Sequence, residues 1–285
     1  MVFKVVPHEN PVPGTGQGAE PMKPVSAVIL CATPRSGSTL LCDLLTATGA
    51  CGVVQSYFRR LSIDNWIGRF GLTVPRGNPD FETLYFAAAL RAGTDASGTF
   101  GLRLMRDNVA ELMDWLDRLF PGQAGDLGRI ETAFGPPRFI ALRRRDSVAQ
   151  AVSRLKAEQT GLWHRHADGS DRERNAAEEV STYDAEGLAG FIAEAEAGER
   201  QWRDWFDEMG VTPARIDYED LSEDPKATLA RLLAALGRDP GPARMAAPAT
   251  ARLADAESAA WAARYRLETG RGGNPHRIGG DATLA

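Results

Sequence analysis

The feature that most constrains the fold is a strand, loop and helix pattern in residues 25–49. Residues 25–33 have the sequence VSAVILCAT, a β-branched apolar run typical of a strand covered on both faces of a parallel sheet. The polar PRSGS loop (Pro34–Ser38) follows, and then a segment with four leucines at helical spacing that Gly49 is suited to end. This order predicts a loop at the N-terminus of a helix, where backbone N–H groups favour an anion.

Strand and helix patterns alternate along the rest of the chain. Further short strands are predicted at 52–55, 138–144 and 214–218, and helices at 147–159, 185–209 and 225–236, with residues 243–263 also prone to form helix. Residues 59–80 are expected to be irregular or to form a short helix. The alternation predicts an α/β protein with a P-loop-like three-layer fold, in which helices flank a central parallel sheet. Proline and glycine density predicts a flexible arm over 1–24, and residues 25–285 are expected to form a single domain with a Gly-rich tail from about 270 to 285.

Composition and charge exclude several function classes. The chain has 33 Lys and Arg against 38 Asp and Glu, a net charge of −5, so nothing global recruits nucleic acid or an anionic membrane. The longest apolar stretch is far shorter than the roughly 20 residues that span a bilayer, and no signal-peptide pattern is present. The 3 cysteines form no CxxC pair, which favours a reducing compartment. We therefore expect a cytoplasmic protein without integral membrane association.

The PRSGS loop departs from the P-loop of nucleoside triphosphatases in an informative way. Against the pattern GxxxxGK[ST], Gly37 and Thr39 match, but Ala32 replaces the first glycine and Ser38 replaces the lysine. Without that lysine a P-loop kinase is disfavoured, whereas Arg35, the hydroxyls and the loop amides remain suited to a phosphate or a sulfonyl oxygen. The alternative is a Ser/Gly turn that caps the helix, with Arg35 in solvent.

A second polar motif follows the predicted strand 138–144. Arg144 ends this strand, and Ser153 lies early in the next predicted helix. Both are expected at the sheet edge where open α/β sheets bind ligands, so they are suited to converge on one phosphate. The alternative is that residues 143–145 form a solvated basic run.

Together the two motifs resemble the sulfotransferases that use 3′-phosphoadenosine 5′-phosphosulfate (PAPS), and most closely the bacterial trehalose 2-sulfotransferase group. The similarity runs from about Val25 to Tyr265 through the motifs ATPRSGSTLLCDLLTATG, QSYF, FGLRLM, RRRDSVAQAVS, AEQTGLW, DYEDL and WAARYR.

The resemblance implies a donor site, an acceptor class and an assembly. It implies that the 5′-phosphosulfate is held by Arg35, Ser36, Gly37, Ser38 and Thr39. It implies that the 3′-phosphate is held by Arg144 and Ser153. Arg103 stands where relatives carry a basic residue, which implies contact with the transferring group; the alternative is a strand-end arginine in solvent. PAPS is then the donor, the acceptor is a small molecule such as a sugar, a glycolipid headgroup or a metabolite, and the protein forms a homodimer. No metal is required.

The sequence departs from the trehalose group at the proposed acid–base step. In that group a glutamate follows the glutamine of the QSYF position and deprotonates the acceptor hydroxyl, but here Gln55 is followed by Ser56. A serine hydroxyl is no general base near neutral pH. The candidates to replace it are His164, His166 and Asp64, with His164 taken as catalytic beside Arg35 and Arg103.

The serine also leaves alternatives open. An amine acceptor would need less activation, and a catalytically inactive protein that binds PAPS or 3′,5′-bisphosphoadenosine is the alternative function. The segment 164–174 otherwise has the composition of a solvated charged loop.

Overall fold

The computed structural model describes residues 23–165, 168, 170–174, 180–247 and 255–271. Nearly all of the predicted N-terminal arm, the tail beyond residue 271 and His166 lie outside these residues, and the predictions for them stay predictions.

The described chain consists of short strands and helices in alternation. The strands are β1 (Ser26–Ala32), β2 (Thr99–Met105), β3 (Pro137–Arg143), β4 (Leu162–Arg165), β5 (Asp171–Arg174) and β6 (Ala214–Asp217). The helices are α1 (Ser38–Ala47), α2 (Ile63–Phe70), α3 (Phe81–Gly93), α4 (Val109–Leu119), α5 (Gly125–Phe134), α6 (Ser147–Thr160), α7 (Ala185–Met209), α8 (Tyr218–Glu223), α9 (Pro225–Ala235) and α10 (Ala256–Thr269). Short 3₁₀ turns lie at Arg60–Ser62, Arg106–Asn108 and Gly241–Arg244.

A parallel sheet with the order β2-β1-β3-β6 forms the centre of the molecule. Side chains of β1 alternate between two separate cores: Ala27, Ile29 and Cys31 pack into one, and Val28, Leu30 and Ala32 pack into the other. The sheet is therefore covered on both faces, which explains the continuous apolar run. The predicted α/β class with a helix-flanked parallel sheet is confirmed. The carboxyl ends of all strands in this sheet meet at one edge, where the PRSGS loop lies.

The strand predicted at 52–55 is wrong. Only Gln55 makes a bridge, to Leu102 of β2, and β2 takes the position beside β1. The backbone at Gly52 has φ +72°, in the left-handed region and outside the extended conformation of a strand. Glycine is required there, because a Cβ would lie 2.1 Å from the backbone nitrogen of Gly101. Helices α3, α4 and α5 carry no sequence prediction, whereas α2 is the short helix expected in 59–80.

Helices α6, α7 and α10 share a third, smaller core on the flank of the sheet. The carboxylate of Asp146 caps α6 by accepting from the Ala149 N–H, and both its oxygens accept from Arg266 at 2.7 Å. This pair holds α10 beside the start of α6. Within the described ranges, no helix is long and apolar enough to cross a bilayer.

Candidate active site

The PRSGS loop has a backbone conformation that only certain residues tolerate. Gly37 has φ +91°, and a Cβ there would lie 2.3 Å from Cδ2 of Tyr218, so glycine is required by both conformation and space. Arg35 also adopts a left-handed φ of 63°, which is uncommon for a side chain of this size. Strained residues of this kind concentrate at functional sites, so the conformation of the loop itself marks a site.

Side chains from within the loop and from α6 hold this conformation. The hydroxyl of Ser36 is fully buried and donates to the Thr33 carbonyl at 2.8 Å. From α6, the Gln150 amide donates to the Thr33 hydroxyl at 3.0 Å and to the Pro34 carbonyl at 2.7 Å. The Ser36 side chain thus supports the loop from inside, while its neighbours line the cleft described below.

The start of α1 adds backbone N–H donors beside the PRSGS loop. Its first backbone hydrogen bond runs from the Leu41 N–H to the Gly37 carbonyl at 3.2 Å. The N–H groups of the preceding helical residues, Ser38 to Leu40, therefore lie at the open positive end of the helix. Together with the Ser38 hydroxyl they form a donor set suited to a phosphate or sulfuryl group.

Arg35 connects the loop to two other elements. Its Nε donates to the Ser153 hydroxyl of α6 at 3.0 Å, and its Nη1 donates to the carbonyl of Trp163 in β4. Burial, and then the neighbouring Arg144, lower the pKa of Arg35 to about 10. An incoming anion compensates both effects, so the site is electrostatically prepared for negative charge.

Arg144 is separated from its two neighbours by its environment. Arg143 and Arg145 both form ion pairs with Asp217 of β6. Arg145 also pairs with Asp220 of α8. Arg144 instead lies over the Tyr218 ring at 4.6 Å, and its Nη1 donates to the Arg35 carbonyl at 3.3 Å. The basic run is therefore not uniformly solvated, because its central member faces the PRSGS loop.

These groups border one cleft of about 940 Å³. Arg35, Ser38, Thr39, Arg103, Arg144, Ser153, His164 and Glu173 line it, together with the end of α6 and the start of α10. A cleft of this volume is large enough for a nucleotide with a second small molecule.

A chain of polar contacts crosses the end of the cleft at Thr39. Arg103 donates from Nε to the Ser56 hydroxyl at 2.8 Å and from Nη1 to the Thr39 hydroxyl at 3.0 Å. Thr39 Oγ1 lies 3.1 Å from Nε2 of His164, which in turn lies 3.6 Å from Glu173 Oε2. Arg103 is thus held in the site and is not a solvated strand end.

The described residues of segment 164–174 do not form the solvated loop that the composition indicated. Leu162–Arg165 and Asp171–Arg174 pair as an antiparallel hairpin outside the main sheet. Arg172 anchors this hairpin to α1 through both carboxylate oxygens of Asp43, and both side chains are about nine-tenths buried. The hairpin thereby carries Trp163, His164 and Glu173 to the cleft.

His164 is neutral at physiological pH. Burial lowers its pKa well below 6.5, and the nearby guanidinium groups of Arg35, Arg103, Arg172 and Arg59 lower it further. Because Arg103 already donates to Thr39 Oγ1, the Thr39 hydroxyl hydrogen is directed to Nε2 of His164, which accepts it.

The structure brings most of the predicted site residues together. Arg35, Gly37, Ser38, Thr39, Arg103, Arg144, Ser153 and His164 line the one cleft, and the Ser36 side chain faces the loop interior. Asp64 lies elsewhere, with a side chain 86% exposed and paired with Arg76. Sequence analysis missed Gln150 as a support of the loop and Glu173 as a cleft residue, because neither is spaced from the recognised motifs in a way that indicates a role.

Comparison with known proteins identifies the family. The model of the Stf0 sulphotransferase family matches residues 27–268. The chain belongs to this family. As an Stf0 sulphotransferase it is an enzyme of sulfuryl transfer, and the family expected from the two motifs is confirmed.

The alignment of this Stf0 chain with two curated relatives covers nearly the whole length of each relative. Trehalose 2-sulfotransferase of Mycobacterium tuberculosis is 34% identical over 271 residues, 88% of this chain and 98% of the relative. Trehalose 2-sulfotransferase of Mycolicibacterium smegmatis is 33% identical over 271 residues, which again are 88% of this chain and 98% of the relative. The sulfotransferase domain of the Synechococcus PCC 7002 olefin synthase is a solved structure with 16% identity and a TM-score of 0.40, covering 79% of this chain and 78% of that one.

Proposed function

We propose that this enzyme transfers a sulfuryl group from PAPS to a hydroxyl of a small acceptor. The observation that carries the proposal is the convergence of Arg35, Arg144 and the open end of α1 on one cleft. A donor with a phosphosulfate at one end and a phosphate at the other needs two adjoining anion sites, and the chemistry of these side chains suits both.

Each part of the donor has a matching set of residues. We assign the 5′-phosphosulfate to Arg35, Ser36, Gly37, Ser38 and Thr39. We assign the 3′-phosphate to Arg144 and Ser153. Arg35 donates to Ser153 and accepts from Arg144, so the two sets are contiguous. In this conformation both the hydroxyl and the backbone N–H of Ser36 donate to the Thr33 carbonyl, at 2.8 and 3.3 Å, so its contribution is to hold the shape of the loop.

The catalytic residues in this proposal are Arg35, Arg103 and His164. PAPS, when bound, supplies a sulfuryl group on a good leaving group, and this transfer depends mostly on positioning and charge stabilisation. Arg35 and Arg103 both line the cleft and neutralise charge on the transferring group, and His164 orients the Thr39 hydroxyl to which Arg103 donates. The proposal requires no metal.

The names of the relatives support a class of acceptor. Both curated relatives are named trehalose 2-sulfotransferases, which supports a sugar or another small hydroxylated molecule as acceptor. We further propose a cytoplasmic homodimer without a nucleic acid or integral membrane partner.

The test is calorimetric titration of 3′,5′-bisphosphoadenosine into the purified protein without magnesium, with ATP as comparator. Micromolar or tighter binding with preference over ATP supports the donor site. Radiolabelled PAPS with trehalose, maltose and glucose then measures transfer. Binding without transfer to any of these sugars would contradict a sugar acceptor, and no binding would contradict the donor assignment.

Two neighbouring arginines provide a matched pair of variants. Arg144→Ala is expected to weaken binding by about 1.5–3 kcal/mol, the range of charged hydrogen bonds, which is about 10- to 150-fold. Arg143→Ala removes the same charge from the adjacent residue, but that side chain is exposed and paired with Asp217, so affinity should change little. Equal losses in both variants would show a general charge effect and not a site.

A further inference from the structure

The described site has no carboxylate where trehalose-group relatives carry one. Ser56 is buried, accepts from Arg103 Nε at 2.8 Å and donates to the Arg103 carbonyl at 3.3 Å. Its hydroxyl therefore holds Arg103 and has no capacity to accept a proton from an acceptor hydroxyl. An acceptor alcohol still has to lose its proton during transfer.

Glu173 lies at the other end of the same chain of contacts. Ser56 and Arg103 stand on one side of Thr39, and His164 and Glu173 stand on the other. The Glu173 side chain lines the cleft and is about one-quarter exposed. A carboxylate is thus present beside the same end of the PRSGS loop, but on the β4–β5 hairpin.

The contacts of His164 show whether Glu173 lies behind the imidazole, where it would orient the ring, or beside its reacting nitrogen. In a Ser-His-Asp arrangement the carboxylate contacts the imidazole nitrogen remote from the reacting group. Here Thr39 Oγ1 and Glu173 Oε2 both face Nε2, at 3.1 and 3.6 Å. Glu173 is therefore beside the reacting end of the imidazole and not behind it.

The other acidic residues of the cleft have different positions. Asp146 is engaged by Arg266, Asp255 by Lys156, and Glu158 by Arg154. Asp107 is exposed on the turn after β2. Of the carboxylates that line the described cleft, Glu173 is the one in contact with the Arg103, Thr39 and His164 chain.

We propose that Glu173 is the general base, which accepts the proton of the acceptor hydroxyl; this rests on the proposed function. The acceptor oxygen forms a bond to the sulfuryl sulfur, and the bond from sulfur to the 5′-phosphate oxygen breaks with its electron pair on that oxygen. The acceptor proton moves to the Glu173 carboxylate and then to water. The arginines whose charge acts on His164 are Arg35, Arg59, Arg103 and Arg172, and Arg35 also interacts with Glu173. Arg165 and Arg174 of the same hairpin also line the cleft.

The test compares acceptors that differ in their need for a base. Sugar hydroxyls need one, whereas 4-nitrophenol ionises near neutral pH and does not. With labelled PAPS, Glu173→Gln is expected to lower kcat for the best of trehalose, maltose and glucose by about 10²- to 10⁴-fold and to remove the acidic limb of its pH profile. Transfer to 4-nitrophenol should persist within a few fold.

Two further variants and a binding measurement exclude a merely structural effect. Glu173→Gln removes a negative charge near Arg35, so affinity for 3′,5′-bisphosphoadenosine should stay equal or rise, whereas a damaged hairpin would weaken it. Asp171→Asn removes one charge from the same strand outside the cleft and should keep the sugar activity. Ser56→Glu in the Glu173→Gln background is expected to restore part of the lost rate.

The outcomes separate this inference from the proposed function. An unchanged sugar rate in Glu173→Gln overturns the inference, as does loss of the acidic limb in His164→Gln or Asp107→Asn instead. A wild-type protein that sulfates 4-nitrophenol but no sugar also overturns it. A wild-type protein that fails to bind 3′,5′-bisphosphoadenosine, or sulfates neither class of acceptor, contradicts the proposed function itself.

Discussion

Replacing Gly37 by alanine tests the contact between the PRSGS loop and the Tyr218 ring. An alanine in the left-handed region costs about 1–2 kcal/mol. Its Cβ would also lie 2.3 Å from Tyr218 Cδ2 and 2.9 Å from Cε2, so the ring has to move. Overpacking of this kind costs about 1–3 kcal/mol. Gly37→Ala is therefore expected to lower the free energy of unfolding by about 2–5 kcal/mol.

A double-mutant cycle in urea separates the two contributions. Tyr218→Ala removes the ring, so Gly37→Ala in that background should cost only the conformational part, and the two changes should couple by about 1–3 kcal/mol. Because the ring lies under Arg144, Gly37→Ala alone should also weaken binding of 3′,5′-bisphosphoadenosine. Effects that add within about 0.5 kcal/mol would refute the steric argument.

Two further predictions concern the hairpin. Asp43→Ala removes the carboxylate that pairs with the buried Arg172 guanidinium, so the free energy of unfolding should fall by about 3–5 kcal/mol. The double variant Asp43→Leu/Arg172→Met should recover most of this loss in urea titrations, and equal stability of the single and double variants would contradict the prediction. The pKa of His164 is lowered in the folded state, so the unfolded chain binds this proton first, and stability should fall as the pH drops below about 6.5. Urea unfolding at pH 7.5 and 5.5 should show a smaller fall for His164→Gln, and an identical fall would contradict it.

The parts of the fold with regular patterns were predictable. The β1 run, the PRSGS loop and α1 have local sequences that specify them, and α7 has the predicted limits Ala185–Met209. The strand at 52–55 failed because only position 55 pairs with β2, and the approach of Gly52 to Gly101 depends on distant backbone. The sequence of residues 52–55 alone contains no pattern that predicts such a contact between distant segments.

The candidate site was predictable where one element supplies several groups. Consecutive residues of the PRSGS loop, and Arg144 with Ser153 across one strand–helix junction, have spacings that indicate convergence. The hairpin was not predictable, because its charged sequence lacks the apolar alternation of a strand. It is held instead by the Arg172 pair with Asp43, a contact 129 residues apart in sequence.

The separate pairing of β4 and β5 has a consequence for divergence within the family. These strands contribute no residue to the four-stranded sheet, and their attachment runs through Arg172 and a few contacts at the cleft. Substitutions at His164 or Glu173 therefore change the chemistry beside Thr39 while the two cores on the sheet stay intact. Under the proposal made above for Glu173, the reactive carboxylate lies on this appendage and not beside Gln55, so it can change without disturbing the sheet and the loop that border the cleft.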